Sequence, residues 1–102
     1  MTLAVRWTTR ASSQLEEAAL YLESSRAGVG MEFLDSVEAI LHVAAEHPSI
    51  FPLIPDVPGN EVRKGLIRKY GYWVIYEIST DQLQVLSVWH GARESEGWRT
   101  RP

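Results

Sequence analysis

"VRKGLIRKYGYWVIYEI", residues 62–78, sets two runs rich in β-branched and aromatic residues on either side of the pair Tyr70-Gly71. Such runs, interrupted by a turn dipeptide, read as strands over about 62–69 and 72–79 joined antiparallel. In the second of them Tyr72, Val74, Tyr76 and Ile78 alternate with Trp73, Ile75 and Glu77, so both faces are largely apolar. A strand of that kind belongs inside a sheet, with helices over one face and the other face left for something else. After "STDQ", a further turn signal, residues 83–90 supply a third strand, and the three together predict an antiparallel meander.

Upstream the period changes from two to 3.6. Phe33, Val37, Ile40, Leu41 and Ala44 form one apolar stripe, which predicts a helix from about Val29 to Glu46 that Pro48 stops. Ala11, Leu15, Ala18, Ala19 and Leu22 form a second stripe on an earlier helix, capped by Thr8 or Thr9 and ended by "SSRAG". Before it, "LAVRW" alternates Leu3, Val5 and Trp7 with Ala4 and Arg6, as a half-buried strand does. Residues 47–61 hold four of the five prolines and read as a loop packed down by Phe51, Leu53 and Ile54. The expectation is an α+β fold in the order β-α-α-β-β-β, a helical hairpin on a mostly antiparallel four-stranded sheet. It occupies 102 residues as one domain, with about 94–102 as a C-terminal tail.

Composition narrows the chemistry. There is no cysteine, which removes disulfides, thiolate metal sites and cysteine nucleophiles. No stretch approaches the roughly 18 apolar residues of a membrane span, so a cytoplasmic protein is expected. Net charge is −3, yet residues 1–61 carry three Arg against nine acids and residues 62–102 carry seven Arg and Lys against four. The basic half could face an anion or an acidic partner; equally, cations on an outer strand discourage edge-to-edge aggregation. On a strand over 62–69, Lys64 and Arg68 would share one face and Arg63 and Lys69 the other, so no face would carry all four. Glu38, His42 and Glu46 share a helix face but read as a solvated stripe, and neither a metal nor another cofactor is expected.

The segments "ASSQLEEAALYL", "EVRKGLIRKYGYWVIYEI" and "VLSVWHGAR", taken in order with the "HP" that closes the second helix, resemble the ParE/RelE superfamily of bacterial toxins. The likeness runs over about residues 5–93. It implies the toxin of a type II toxin–antitoxin, plasmid-stabilisation-like module, bound by a small antitoxin through an extended stretch and an amphipathic helix beside the helical hairpin. ParE-like members are implied to poison DNA gyrase by binding, without catalysis, and to meet DNA only through the antitoxin. RelE-like members are implied to cleave mRNA on the ribosome without metal. For that activity Arg93, Lys64 and Arg68 match basic positions of the pattern, but Trp73 stands where an arginine is expected and Trp98 where a tyrosine is. Loss of those two groups favours the ParE-like reading, because a tryptophan can neither carry the cation nor exchange a proton. The partner-binding surface implied is Arg63, Arg68, Trp73, His90, Arg93 and Trp98, with His90 and Arg93 as catalytic residues only in the nuclease alternative. A third alternative is a degenerate, non-toxic subunit that only binds its antitoxin.

Overall fold

A computed structural model describes residues 2–55, 57 and 61–91. Its elements are β1 (Ala4–Trp7), α1 (Thr9–Ser25), α2 (Val29–Glu46), β2 (Glu61–Ile67), β3 (Tyr72–Ile78) and β4 (Gln82–His90). The sheet order is β1-β4-β3-β2, with β1 parallel to β4 and the other pairings antiparallel. The predicted order of elements therefore holds, and β3 and β4 occupy the two inner positions.

Local chemistry explains the helical hairpin. Thr8 is extended, and its hydroxyl accepts the Ala11 N–H at 3.0 Å, satisfying one of the donors left open at the start of α1. Gly28, at φ +91°, makes the turn into α2. The Glu23 carboxylate then accepts N–H bonds from both Gly28 and Gly30, at 2.9 Å each for the shorter contacts, and so clasps the hairpin. These bonds hold its pKa below the usual carboxylate range. Gly30 is required by closeness: a Cβ there would lie 2.7 Å from the Ala19 carbonyl oxygen on α1. α2 buries Phe33, Val37, Leu41 and Ala44, the stripe that periodicity predicted.

These side chains meet the sheet. Phe33 packs its ring on Tyr72, centroids 4.9 Å apart, and Val74, Tyr76, Leu83 and Val85 are fully buried with it. Tyr76 donates its hydroxyl to the Pro48 carbonyl at 3.3 Å, and burial pushes its pKa up to about 12. A bulge interrupts the β3–β4 ladder, because Ile75 pairs with Ser87 while Tyr76 pairs with Val85, leaving Leu86 as the extra residue. β1 stops opposite Val85, so among the described residues the end of β4 has no strand beside it on that side. Gln14 of α1 substitutes: its Oε1 accepts the Val88 N–H at 2.9 Å and the Ser87 hydroxyl at 2.8 Å.

Three expectations are corrected. β2 ends at Ile67, because the N–H groups of Tyr70 and Gly71 both bond to the Ile67 carbonyl and Gly71 turns at φ +72°. Arg68 and Lys69 consequently lie in that turn instead of on opposite strand faces. In the proline-rich loop Phe51 packs against Tyr76, but Leu53 stays 53% exposed. The reason is that Pro52–Ile54 runs antiparallel along β2, with Ile54 N–H on the Val62 carbonyl at 2.8 Å and Lys64 N–H on the Pro52 carbonyl at 3.0 Å. Over residues 62–64 the outer side of β2 is thus paired by the loop's own backbone.

Candidate functional site

Of the residues expected to form one partner surface, the four described ones, Arg63, Arg68, Trp73 and His90, do not share one face. Arg63 points to the helix side of the sheet, where its guanidinium donates to the Ser49 and Phe51 carbonyls and, through Nε, to Glu61 at 2.8 Å. Only 13% of that side chain is exposed, so it clasps the loop to β2 with its Nε and Nη1 donors already engaged. Arg68 is exposed in the β2–β3 turn. Trp73 lies on the helix-free face, opposite Trp89, with the Lys64 ammonium 4.6 Å from its ring centroid. His90 sits on the other side of the sheet, edge-on to Tyr72 at 5.0 Å, in a hollow of about 220 Å³ that Gln14, Glu17 and Tyr21 also line. Arg93 and Trp98 lie outside the described residues.

The helix-free face is also less open than the sequence suggested. Ile75, flanked by Trp73 along β3 and Lys64 across to β2, keeps 3% of its surface, and Val62 keeps 1%. Both are buried although neither described helix covers that side. Among the described residues no cluster of His, Asp and Glu could hold a metal ion. His42 and Glu46 form an i,i+4 pair at 2.8 Å, in keeping with a polar stripe. Near the start of α2, Glu32 Oε1 accepts from Lys69 Nζ at 2.7 Å and from the Tyr70 hydroxyl, tying that helix to the β2–β3 turn. The Lys69 hydrogen bond and charge depress the Glu32 pKa, and the same contact raises that of Lys69.

What the fold does assemble is a groove between β1 and α2. Its floor is the helix-side row of β1, Leu3, Val5 and Trp7, and its far wall is Leu34, Val37 and Leu41; it encloses about 750 Å³. Beyond Trp7, Leu15 and Leu34 it continues into a second apolar hollow of about 560 Å³ that reaches Ala19 and Leu20. Leu20 is 64% exposed there. Asp35 and Glu38 line the first hollow from α2, and Glu16 lines the second from α1. The one cation of β1, Arg6, alternates onto the opposite face. The resemblance implied a partner beside the helical hairpin without naming these residues, although the alternation of Leu3, Val5 and Trp7 in "LAVRW" was legible.

The chain matches the family described as ParE toxin of type II toxin-antitoxin system, parDE, over residues 5–95. It belongs to that family. The same architecture occurs in a solved structure of a chromosomal ParDE TA system from P. aeruginosa, with a TM-score of 0.71 over 87% of this chain and 96% of that one. At 13% identity, that likeness concerns the fold. No curated protein matches the sequence. The ParE-family match begins at Val5, within β1, and runs through both helices and β2 to β4, so it takes in the Arg63 clasp, the hollow beside His90 and the groove except for its Thr2 and Leu3 end. No helix among the described residues is long and apolar enough to cross a membrane.

Proposed function

We propose that this chain is the toxin of a two-protein module, that it inhibits DNA gyrase by binding, and that a small cognate antitoxin holds it inactive. The observation that carries this reading is the ParE-family match over residues 5–95. The arrangement of side chains agrees with a binder. A metal-independent nuclease needs a proton-transferring group and cations converging on one phosphate. Here His90 and the Lys64–Trp73 pair lie on opposite faces of the sheet, and Nε and Nη1 of Arg63 are engaged within the fold.

The test is induced expression, alone and together with the small open reading frame adjacent to the gene. Growth arrest relieved by the neighbour, together with loss of supercoiling by purified gyrase at micromolar protein, is the expected result. Arrest with unaltered supercoiling and cut transcripts on translating ribosomes would replace gyrase by mRNA as the target. Overexpression without any effect on growth would leave only an antitoxin-binding subunit.

A further inference from the structure

β4 continues to His90, five residues past the point where β1 ends opposite Val85, and α1 lies against this uncovered end through Gln14. Gln14, Glu17, Ala18 and Tyr21 fall at i, i+3, i+4 and i+7 on α1, so a single helix face looks onto it. With Tyr72, Val88 and His90 that face encloses the hollow of about 220 Å³. Its floor is apolar: Ala18, Val88 and Tyr72 are all buried. Its rim is polar. Glu17 and Tyr21 are exposed, and neither the Glu17 carboxylate nor the Tyr21 hydroxyl has a partner among the described residues. The backbone adds an acceptor. Val88 turns its N–H to Gln14, away from β3, and its carbonyl turns to the same edge, where no described group donates to it.

Acceptors therefore predominate around the hollow. A carboxylate, a phenol oxygen and a backbone carbonyl stand against the NH2 of Gln14, whose Oε1 is already committed to Ser87 and Val88. No Lys or Arg among the described residues lines it. An anion would meet the Glu17 charge, and a wholly apolar group would leave the rim unsatisfied. The complementary ligand is a cation with several donors and an apolar stem. An ammonium is a strongly hydrated point charge, whereas a guanidinium is planar, less hydrated, offers five donors and stacks on aromatic rings. Size agrees: at about 30 Å³ per water the hollow holds about seven, and an arginine side chain has about as many heavy atoms. We infer that the hollow at the end of β4 is a receptor for a guanidinium group. The stem lies over Ala18 and Val88, the plane beside the Tyr21 ring, and the donors on Glu17 and the Val88 carbonyl. Its source is either a small alkylguanidine or an arginine side chain on a protein that binds this chain. Recognition of this kind is independent of gyrase and of the antitoxin.

The probes are butylguanidinium chloride, a blocked Gly-Arg-Gly peptide and its citrulline counterpart, each titrated into the intact chain at low salt and followed by amide NMR shifts. Both guanidinium probes should shift the Ala18, Val88 and His90 amides, with a Kd on the order of 1 mM. The citrulline peptide has the same shape without the charge and should bind at least about 10-fold more weakly. Glu17→Gln should weaken guanidinium binding by about 10-fold and leave the melting temperature of the free chain unchanged, because its carboxylate has no partner to lose among the described residues. Glu16→Gln removes the same charge one position away, at the other hollow, and should keep the affinity within about 2-fold. Tighter binding of the peptide than of butylguanidinium assigns the receptor to an arginine on a protein, and the reverse order assigns it to a small cation. Equal binding of the arginine and citrulline peptides, no saturable shift at the hollow, or a Glu17→Gln variant that binds as well as the wild type overturns the inference.

Discussion

The contact between Gln14 and the end of β4 carries a sharp prediction. Gln14 Oε1 is the acceptor for two donors, the Val88 N–H at 2.9 Å and the hydroxyl of Ser87, a fully buried residue. Gln14→Leu keeps the size of the side chain and removes the acceptor. A buried donor left unsatisfied costs about 1–3 kcal/mol, so two of them, offset by the added apolar contact of leucine, should cost about 2–4 kcal/mol. Ser87→Ala removes one donor with its bond and should cost about 1 kcal/mol. In the double variant only the Val88 N–H is orphaned, so the combined cost should fall about 1–2 kcal/mol short of the sum. Urea unfolding of the four proteins reads these numbers directly, because an m-value of about 1–3 kcal/mol per molar turns the Gln14 effect into a midpoint shift of about 1 M or more. A Gln14→Leu cost below about 0.5 kcal/mol, or strict additivity in the cycle, would refute the view that this carboxamide stands in for the missing strand.

Three further outcomes follow from contacts of the same kind. Arg63→Ala should destabilise the fold by about 1.5–3 kcal/mol, since its bonds are charge-assisted, and Arg63→Lys should not restore the loss; thermal melting checks both. Any loss of toxicity in Arg63→Ala should therefore track loss of folded protein. Glu23 has a folded-state pKa below its ordinary 4.5, so its stabilising effect is present above that value and disappears as pH falls through the lower folded one. The melting temperature of Glu23→Gln should accordingly lie below that of the wild type at neutral pH and converge with it in acid. Tyr76 has the opposite sense: from its ordinary 10.0 up to about 12 in the fold, the unfolded chain ionises first, so stability declines across that interval. Tyr76→Phe should remove this part of the alkaline decline in melting temperature, while losing the Pro48 hydrogen bond.

Particular residues show why some of this was legible and some not. The bounds of α2 were readable because Phe33, Val37, Leu41 and Ala44 repeat at helical spacing and Pro48 cannot continue the helix. β3 was placed inside the sheet because Trp73 and Ile75 are as apolar as the residues they alternate with. Arg63 misled because a guanidinium in a basic strand looks the same on paper whether water or the Ser49 and Phe51 carbonyls surround it. The turn at 68–71 misled for a related reason: Arg68 and Lys69 are compatible with a strand, and only the two N–H bonds to Ile67 show that the ladder has ended. Leu53 was expected inside on hydrophobicity alone, and the bridge to Arg63 keeps it out. Family resemblance supplied the functional class, which periodicity could not.

By itself the sequence determined the secondary elements, their order and the apolar stripes that must meet, since these depend on spacings of a few residues along the chain. Tertiary structure decided that Arg63 is engaged by the loop, that Ile75 and Val62 are buried, and that β1 joins β4 at an edge with an acidic-lipped groove beside it. Those outcomes depend on carbonyls, carboxylates and strand edges brought together from distant parts of the chain, and an interaction of that range leaves no period in the sequence.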